Sequence, residues 1–242
     1  MPEIKKTEKN VPSYAGKLRS HMVQIPVCIS EASGIRVFGR RIKSLAFTTD
    51  VAIIRNINAD AIIAVYPFTP QSAIIRAVLL AADMPVFAGV GGGVTRGSRV
   101  VSLATDAELE GAFGVVINSP TENETILQLK EQLEIPIVVT VVSETENIEA
   151  RLEAGADILN ISGAGRTPEI VRSVRAKFPS VPIIATGGPT EASMLETIRA
   201  GANAITYTPP SNGDLFAVSM ETYRKKMEDR SRRTEPEEET KK

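Results

Sequence analysis

The sequence predicts an α/β fold: a single (β/α)8 barrel preceded by an N-terminal extension. Three observations point to it. Eight short apolar runs follow one another between Ser44 and Pro210, each closed by turn-forming or small polar residues. Segments of helical period separate them. A 46-residue repeat, the length of two strand–helix units, ties two of the units together.

The runs are 44–50, 61–67, 85–93, 114–120, 136–142, 157–163, 182–188 and 204–210. Each starts apolar on both alternating faces, as a strand buried on both sides does. After the first run, Asp50 and VAIIRNINA (51–59) suggest a capped helix. Helices are predicted over 69–83 with Thr69 as cap, and over 121–134 with Thr121 and Glu124 as a capping box. Further helices fall at 144–155 and 189–201, closed by Gly155 and Gly201. Another spans 167–179, with Pro168 in its first turn, and the last spans 215–228. In the repeat, EIPIVVT (134–140) matches SVPIIAT (180–186), and AGAD (154–157) matches AGAN (200–203). Eight consecutive units with no sign of a strand-order reversal favour a closed barrel over an open doubly wound sheet.

Three segments follow. Residues 1–43 form a basic arm (Lys5, Lys6, Lys9, Lys17, Arg19) and a barrel-bottom hairpin, two strand-like runs about a turn at Ser33-Gly34. Residues 44–228 are the barrel. Residues 229–242 form a charged tail without apolar anchors, expected to be disordered.

Of 242 residues, 43% are hydrophobic and the net charge is −1, which leaves no basic field for nucleic acid or an anionic membrane. No apolar run approaches the roughly 18 residues of a membrane span, and MPEIKKTEKN lacks a signal-peptide core. The expectation is a cytoplasmic protein. One cysteine, Cys28, and one histidine, His21, exclude an internal disulfide and a zinc site built from Cys and His. Oligomeric state is not readable.

The segment 182–216 carries the most specific signal. Thr186-Gly187-Gly188 closes the seventh run directly before a helix, where small residues and a helix N-terminus suit an anion. Thr208-Pro209-Pro210-Ser211 closes the eighth. On IIATGG (183–188) and AGANAIT (200–206), the chain resembles the phosphate-binding (ribulose-phosphate-binding, aldolase-type) TIM-barrel superfamily. It more loosely resembles the barrel of a glycerol-phosphate-responsive antiterminator. The resemblance implies that Thr186, Gly187, Gly188, Thr208 and Ser211 contact a phosphate. The two prolines remove two N–H donors from the second half of that site.

Catalytic groups of such barrels stand at the C-terminal strand ends. Here those ends offer Asp50 and Glu144 as an acid/base pair, and Tyr66, Gly92, Arg96, Asn118, Asn160 and Arg166 as substrate contacts. No lysine stands on a strand, so Schiff-base chemistry is disfavoured; His21 lies upstream of the barrel, and clustered acids are lacking. The expectation is an enzyme without cofactor or metal, an isomerase, epimerase or lyase of a small phosphorylated metabolite. The alternatives are a non-catalytic sensor of such a metabolite and a hydrolase working through a lone carboxylate.

Overall fold

The computed structural model describes Pro12, Tyr14, Gly16 and residues 22–234. The lysines and arginine of the basic arm, His21 and residues 235–242 lie outside the described residues.

Eight parallel strands close into a barrel: β3 (Ser44–Phe47), β4 (Ala61–Ala64), β5 (Val86–Gly91), β6 (Gly114–Ile117), β7 (Ile137–Val141), β8 (Ile158–Ile161), β9 (Ile183–Thr186) and β10 (Ala204–Tyr207), with β10 pairing both β9 and β3. Every apolar run predicted as a strand contains one. Their interior side chains, among them Leu45, Ile63, Phe87, Val138 and Ile184, form one buried cluster. Their outward residues pack under the helices in two further clusters. This two-sided burial is what the unbroken apolar runs encode.

The helices are α1 (Val51–Arg55), α2 (Ser72–Ala81), α3 (Ser98–Leu109), α4 (Asn123–Gln132), α5 (Ile148–Glu153), α6 (Thr167–Lys177), α7 (Glu191–Arg199) and α8 (Asn212–Thr234). Asp50 caps α1 by accepting from Ala52 N and Ile53 N. Two predicted caps are replaced. The N-cap of α2 is Gln71, not Thr69, and its N–H goes to the Tyr66 hydroxyl at 2.9 Å. The N-cap of α4 is Glu122 with no side-chain bond, because Thr121 is buried beneath the Gly92 turn instead of facing the helix start.

The N-terminal extension does two jobs. Strands β1 (Ile35–Val37) and β2 (Arg40–Ile42) form an antiparallel hairpin whose Ile35, Val37 and Ile42 join the interior cluster at the N-terminal end of the barrel. Its turn is Phe38-Gly39, not Ser33-Gly34. Both turn residues take positive φ, 42° and 80°. Phe38 tolerates this conformation while meeting Phe113 edge-on at 5.1 Å. Upstream, Val23 exchanges main-chain bonds with Asn56 and Asn58 after α1, and the 3-10 turn Val27–Glu31 packs on α7. Ile29 is fully buried there, and Cys28 lies 4.0 Å from the Met194 sulfur. Burial, then the charges of Glu191 and Glu31, push the Cys28 thiol up from its ordinary value.

This segment occupies the groove between α7 and α1, where the eighth helix of a barrel is expected to lie. Helix α8 is displaced: every residue from Asn212 to Arg230 is exposed. It also runs six residues past 228, so residues 229–234 are helical and not tail.

Candidate functional site

The C-terminal mouth of the barrel is built by alternation. Val138, Ile158, Ile184 and Ala204 face the interior. Two residues further on, Thr140, Asn160, Thr186 and Thr206 face the same way. The register sets Thr140 beside Asn160 and Thr186 beside Thr206. The result is a polar wall across four adjacent strands.

The Asn160 amide donates to Thr140 Oγ1 at 3.3 Å, and the Thr186 hydroxyl donates to Ser162 Oγ at 3.2 Å. Asn160 and Thr206 are 9% and 7% exposed, and neither Asn160 Oδ1 nor Thr206 Oγ1 has a protein partner. Burying such a group unpaired costs about 1–3 kcal/mol, so both are open positions for a ligand or water.

The opposite side of the mouth, at β4–β6, is different. It holds a cavity of 180 Å³ lined by Tyr66, Phe68, Gly91, Gly93, Thr95 and Asn118 among others. Thr95 Oγ1 is buried and unpartnered. Tyr66 accepts from Gln71 N, which leaves its own hydroxyl proton free to be donated. Gly92 sits at φ +100°, and a Cβ there would come within 2.6 Å of Asn118 N. It therefore shapes the wall behind Asn118 and is not itself a lining residue.

The anticipated anion seat is half present. Gly188 takes φ 76°, turning the chain into α7, whose start is closed by a capping box between Thr190 and Ser193. The Gly187 N–H is already bonded to Thr206 O, and a Cβ on Gly187 would meet Ile205 and Met194, so this glycine serves the close approach of α7. Thr208 is exposed. Ser211 commits both its N–H and its hydroxyl to the Asp214 carboxylate and accepts the Asp214 N–H, a reciprocal pair that closes the start of α8. Those two bonds, the hydroxyl's first, hold the Asp214 carboxyl below the usual range. An acceptor already fills the position the resemblance assigns to phosphate at Ser211.

The two predicted acid/base residues stand apart. Asp50 follows β3 and Glu144 follows β7, four strands away in a ring of eight, across the mouth. Asp50 Oδ1 is used by the α1 cap, and Glu144 is ion-paired with Arg166. The Glu144 hydrogen bond and charge raise the Arg166 guanidinium further above its ordinary value. Arg166 thereby ties the β7–α5 and β8–α6 loops together at the surface. Arg96 is exposed and bends back to Gly93 O at 3.2 Å. Tyr66 is closer to Asp50 in register: Phe47 pairs with Ile63, and each residue follows its strand partner by three.

Two residues that hold the mouth escaped the sequence reading. Arg151 on α5 is 14% exposed and donates to the carbonyls of Ser119 and Thr121 and to Asn123 Oδ1. Beside it, Glu146 Oε1 accepts from Val142 N and Ser143 N. In sequence, ENIEARLEAG reads as a solvated helix start, and nothing marks these charges as buried.

No known family profile matches the sequence, and no curated protein sequence matches it. Solved structures do resemble the fold. Phosphoenolpyruvate phosphomutase from Streptomyces platensis subsp. rosaceus has TM-score 0.59 at 17% identity over 77% of this chain and 83% of its own. A 2,3-dimethylmalate lyase of the PEP mutase/isocitrate lyase superfamily has TM-score 0.57 at 14% identity, covering 88% and 89%. Phosphonopyruvate hydrolase bound to oxalate and Mg2+ has TM-score 0.56 at 15% identity, covering 80% and 83%. At these identities the likeness is one of fold: a (β/α)8 barrel.

The Mg2+ of that hydrolase prompts a test of the donor set here. A hard cation needs clustered oxygen ligands, carboxylates foremost. Among the described residues no group of three His, Cys, Asp or Glu side chains could hold a metal. The interior mouth positions are Thr, Asn, Ser, Gly, Val and Phe, and Asp50 and Glu144 follow strands four apart in the ring, each already engaged. These residues do not fit a carboxylate-held Mg2+. No helix among the described residues is long and apolar enough to cross a membrane.

Proposed function

We propose that this chain is an isomerase- or lyase-type enzyme for a small phosphorylated metabolite, bound at the C-terminal mouth of the barrel. The observation that carries the reading is the polar wall of β7–β10, where Asn160 Oδ1 and Thr206 Oγ1 are buried without partners. A protein accepts that cost where a ligand regularly supplies the missing bonds. The wall leads to Thr186 and Gly188, where the start of α7 offers an anion seat, as in phosphate-binding barrels. The body of the ligand then crosses the mouth toward Tyr66, Asn118 and the 180 Å³ cavity. The names of the fold neighbours, a mutase, a lyase and a hydrolase, lend weight by analogy of fold only.

In this reading, proton transfer falls to protein groups and not to a bound metal. Asp50, whose second carboxylate oxygen is not used by the α1 cap, acts as base, and Tyr66 as donor. Glu144 is the other candidate base, and it would first have to leave Arg166. The site works in the cytoplasm, where small phosphorylated metabolites are held.

A second reading, a non-catalytic sensor, is favoured by one observation: both strand-end carboxylates already have structural partners. One experiment separates the two. The protein is screened by thermal shift against phosphorylated sugars and phosphorylated short acids, and each stabilising compound is followed by 31P and 1H NMR for conversion. Conversion that falls at least tenfold in Asp50→Asn or in Glu144→Gln supports the enzyme. Stabilisation without conversion supports the sensor. The absence of any stabilisation removes both.

A further inference from the structure

The cavity between β4 and β6 differs in character from an anion seat. Among the described residues no charged side chain lines it. Much of its wall is apolar, with Val65, Phe68 and Val116 as its largest contributors. Its polar side chains are Tyr66, Thr69, Thr95 and Asn118, all neutral at ordinary pH.

These groups have hydrogen bonds to give. Thr95 is 4% exposed, and its hydroxyl has no partner in the protein. The Tyr66 hydroxyl accepts from Gln71 N and keeps its own proton for an acceptor. The main chain of Asn118 is bonded to Gly91 O and Thr121 N, and its side-chain amide makes no bond to another described residue. Hydroxyls and an amide both donate and accept, so together they match a group that does the same, a hydroxyl carried on carbon.

Charge works against an ionised occupant. A carboxylate entering the cavity would lose water and meet no cation there. Arg96, the nearest cation in sequence, is exposed and bends back to Gly93 O at 3.2 Å. Asp50 follows β3, the strand beside β4, and is level with Tyr66 in register, so its carboxylate adds repulsion on that side. The seat at Thr186 and Gly188 follows β9, four strands from β5 in the ring. A ligand that spans the mouth therefore meets an anion seat at one end and a neutral cavity at the other. The 180 Å³ of that cavity is several times the roughly 30 Å³ of a single water, room for a short hydroxylated chain.

We propose that the ligand of this mouth is a phosphorylated polyol or sugar, and that the β4–β6 cavity holds its uncharged, hydroxyl-bearing end. The proposal rests on the phosphorylated-metabolite reading above and narrows it. Thr95 and Asn118 bond the ligand's hydroxyls, Tyr66 donates to one of them, and Val65 and Val116 pack against its carbons. A phosphorylated acid of the same length is rejected, because its carboxylate would be desolvated without a counter-charge.

The test is titration calorimetry on the full chain with matched pairs. Glycerol 3-phosphate, erythritol 4-phosphate and ribitol 5-phosphate are compared with 3-phosphoglycerate, 4-phosphoerythronate and 5-phosphoribonate. At least one polyol phosphate is expected to bind about tenfold tighter than its acid. Acids that bind as tightly as the polyols, or more tightly, overturn this proposal and leave the broader reading in place. Binding by none of the six overturns both. Thr95→Val keeps the shape of the side chain and should weaken the best polyol phosphate about fivefold, with no change in the affinity for inorganic phosphate. An unchanged polyol affinity, or an equal loss for inorganic phosphate, overturns the assignment of the cavity. Its melting temperature should hold, because the hydroxyl removed has no partner; if the variant fails to fold, Tyr66→Phe replaces it with the same expected loss. Val94 stands on the rim at 93% exposure. Val94→Arg supplies the missing cation and should tighten binding of the acids about threefold or more, and a preference that does not move overturns the charge argument.

Discussion

Asp157 and Asn203 make the same contact 46 residues apart. Each receives the first N–H of the strand before it: Asp157 Oδ2 from Ile137 N at 3.0 Å, and Asn203 Oδ1 from Ile183 N at 2.9 Å. Each also donates its own N–H to the carbonyl of that same residue, Asp157 to Ile137 and Asn203 to Ile183. The repeat in the sequence is thus a repeat of a barrel-bottom clasp that sets the register of neighbouring strands. A cation backs both copies, Lys130 at Asp157 and Arg175 at Asn203.

Asn203→Ala and Asp157→Ala each leave a strand N–H without its acceptor. Each substitution is expected to lower stability by about 2 kcal/mol, the cost of an unmade bond at a shielded donor. Urea denaturation reads this as a lower midpoint at constant slope. Asn203→Asp keeps the acceptor and should retain most of the stability. A wild-type midpoint for Asn203→Ala would show that water replaces the clasp.

The clasp also explains what could be read in advance. Strand positions were legible because two-sided burial writes unbroken apolar runs, and closure was legible because eight such runs follow one another with no sign of a strand-order reversal. The site was less so. Thr140, Asn160 and Thr206 are single polar residues inside apolar strands, and only the closed barrel sets them side by side. Gly187 and Ser211 fit an anion-binding pattern, yet the first is small to admit α7 and the second caps α8 by accepting the Asp214 N–H. Arg151 is invisible as a buried cation because its partners are carbonyls about 30 positions away, a relation no local pattern encodes.

The open polar atoms of the wall should behave as ligand positions and not as structural ones. Thr206→Val keeps the shape and removes a buried hydroxyl that has no partner. Stability is expected to be unchanged or up to about 1 kcal/mol higher, since a lone buried hydroxyl is a cost. The thermal shift given by a stabilising phosphorylated compound should shrink in the same variant. A large loss of stability would mean that the hydroxyl serves the fold.

Arg151→Met removes the guanidinium that holds Ser119 and Thr121 and leaves Glu146 without its cation at 4.0 Å. With both side chains mostly buried, a loss of about 2–3 kcal/mol is expected, less than for a fully buried pair. The loop carrying Asn118 should loosen together with it. Amide exchange at residues 118–123 should quicken by more than exchange in β7, and a uniform change over the barrel would argue against a local clamp.

The start of α8 should be sensitive to acid. Its Asp214 carboxylate accepts from the Ser211 hydroxyl and N–H, which lowers the carboxyl below its ordinary value. A folded-state value below the unfolded one means that the cap is fully formed above the unfolded carboxyl range, near pH 4, and is lost as the pH falls through the folded value. Between those two points Asp214 stays charged in the folded chain while the unfolded chain takes up a proton, so the cap weakens in that window and not at neutral pH. The residue is exposed at the surface, so the effect is local. NMR chemical shifts of residues 211–216 should titrate toward coil values there while barrel resonances hold still. Asp214→Asn should flatten the titration, because its amide oxygen caps without a proton to gain. A titration of the same size in Asp214→Asn would assign the acid response to another group.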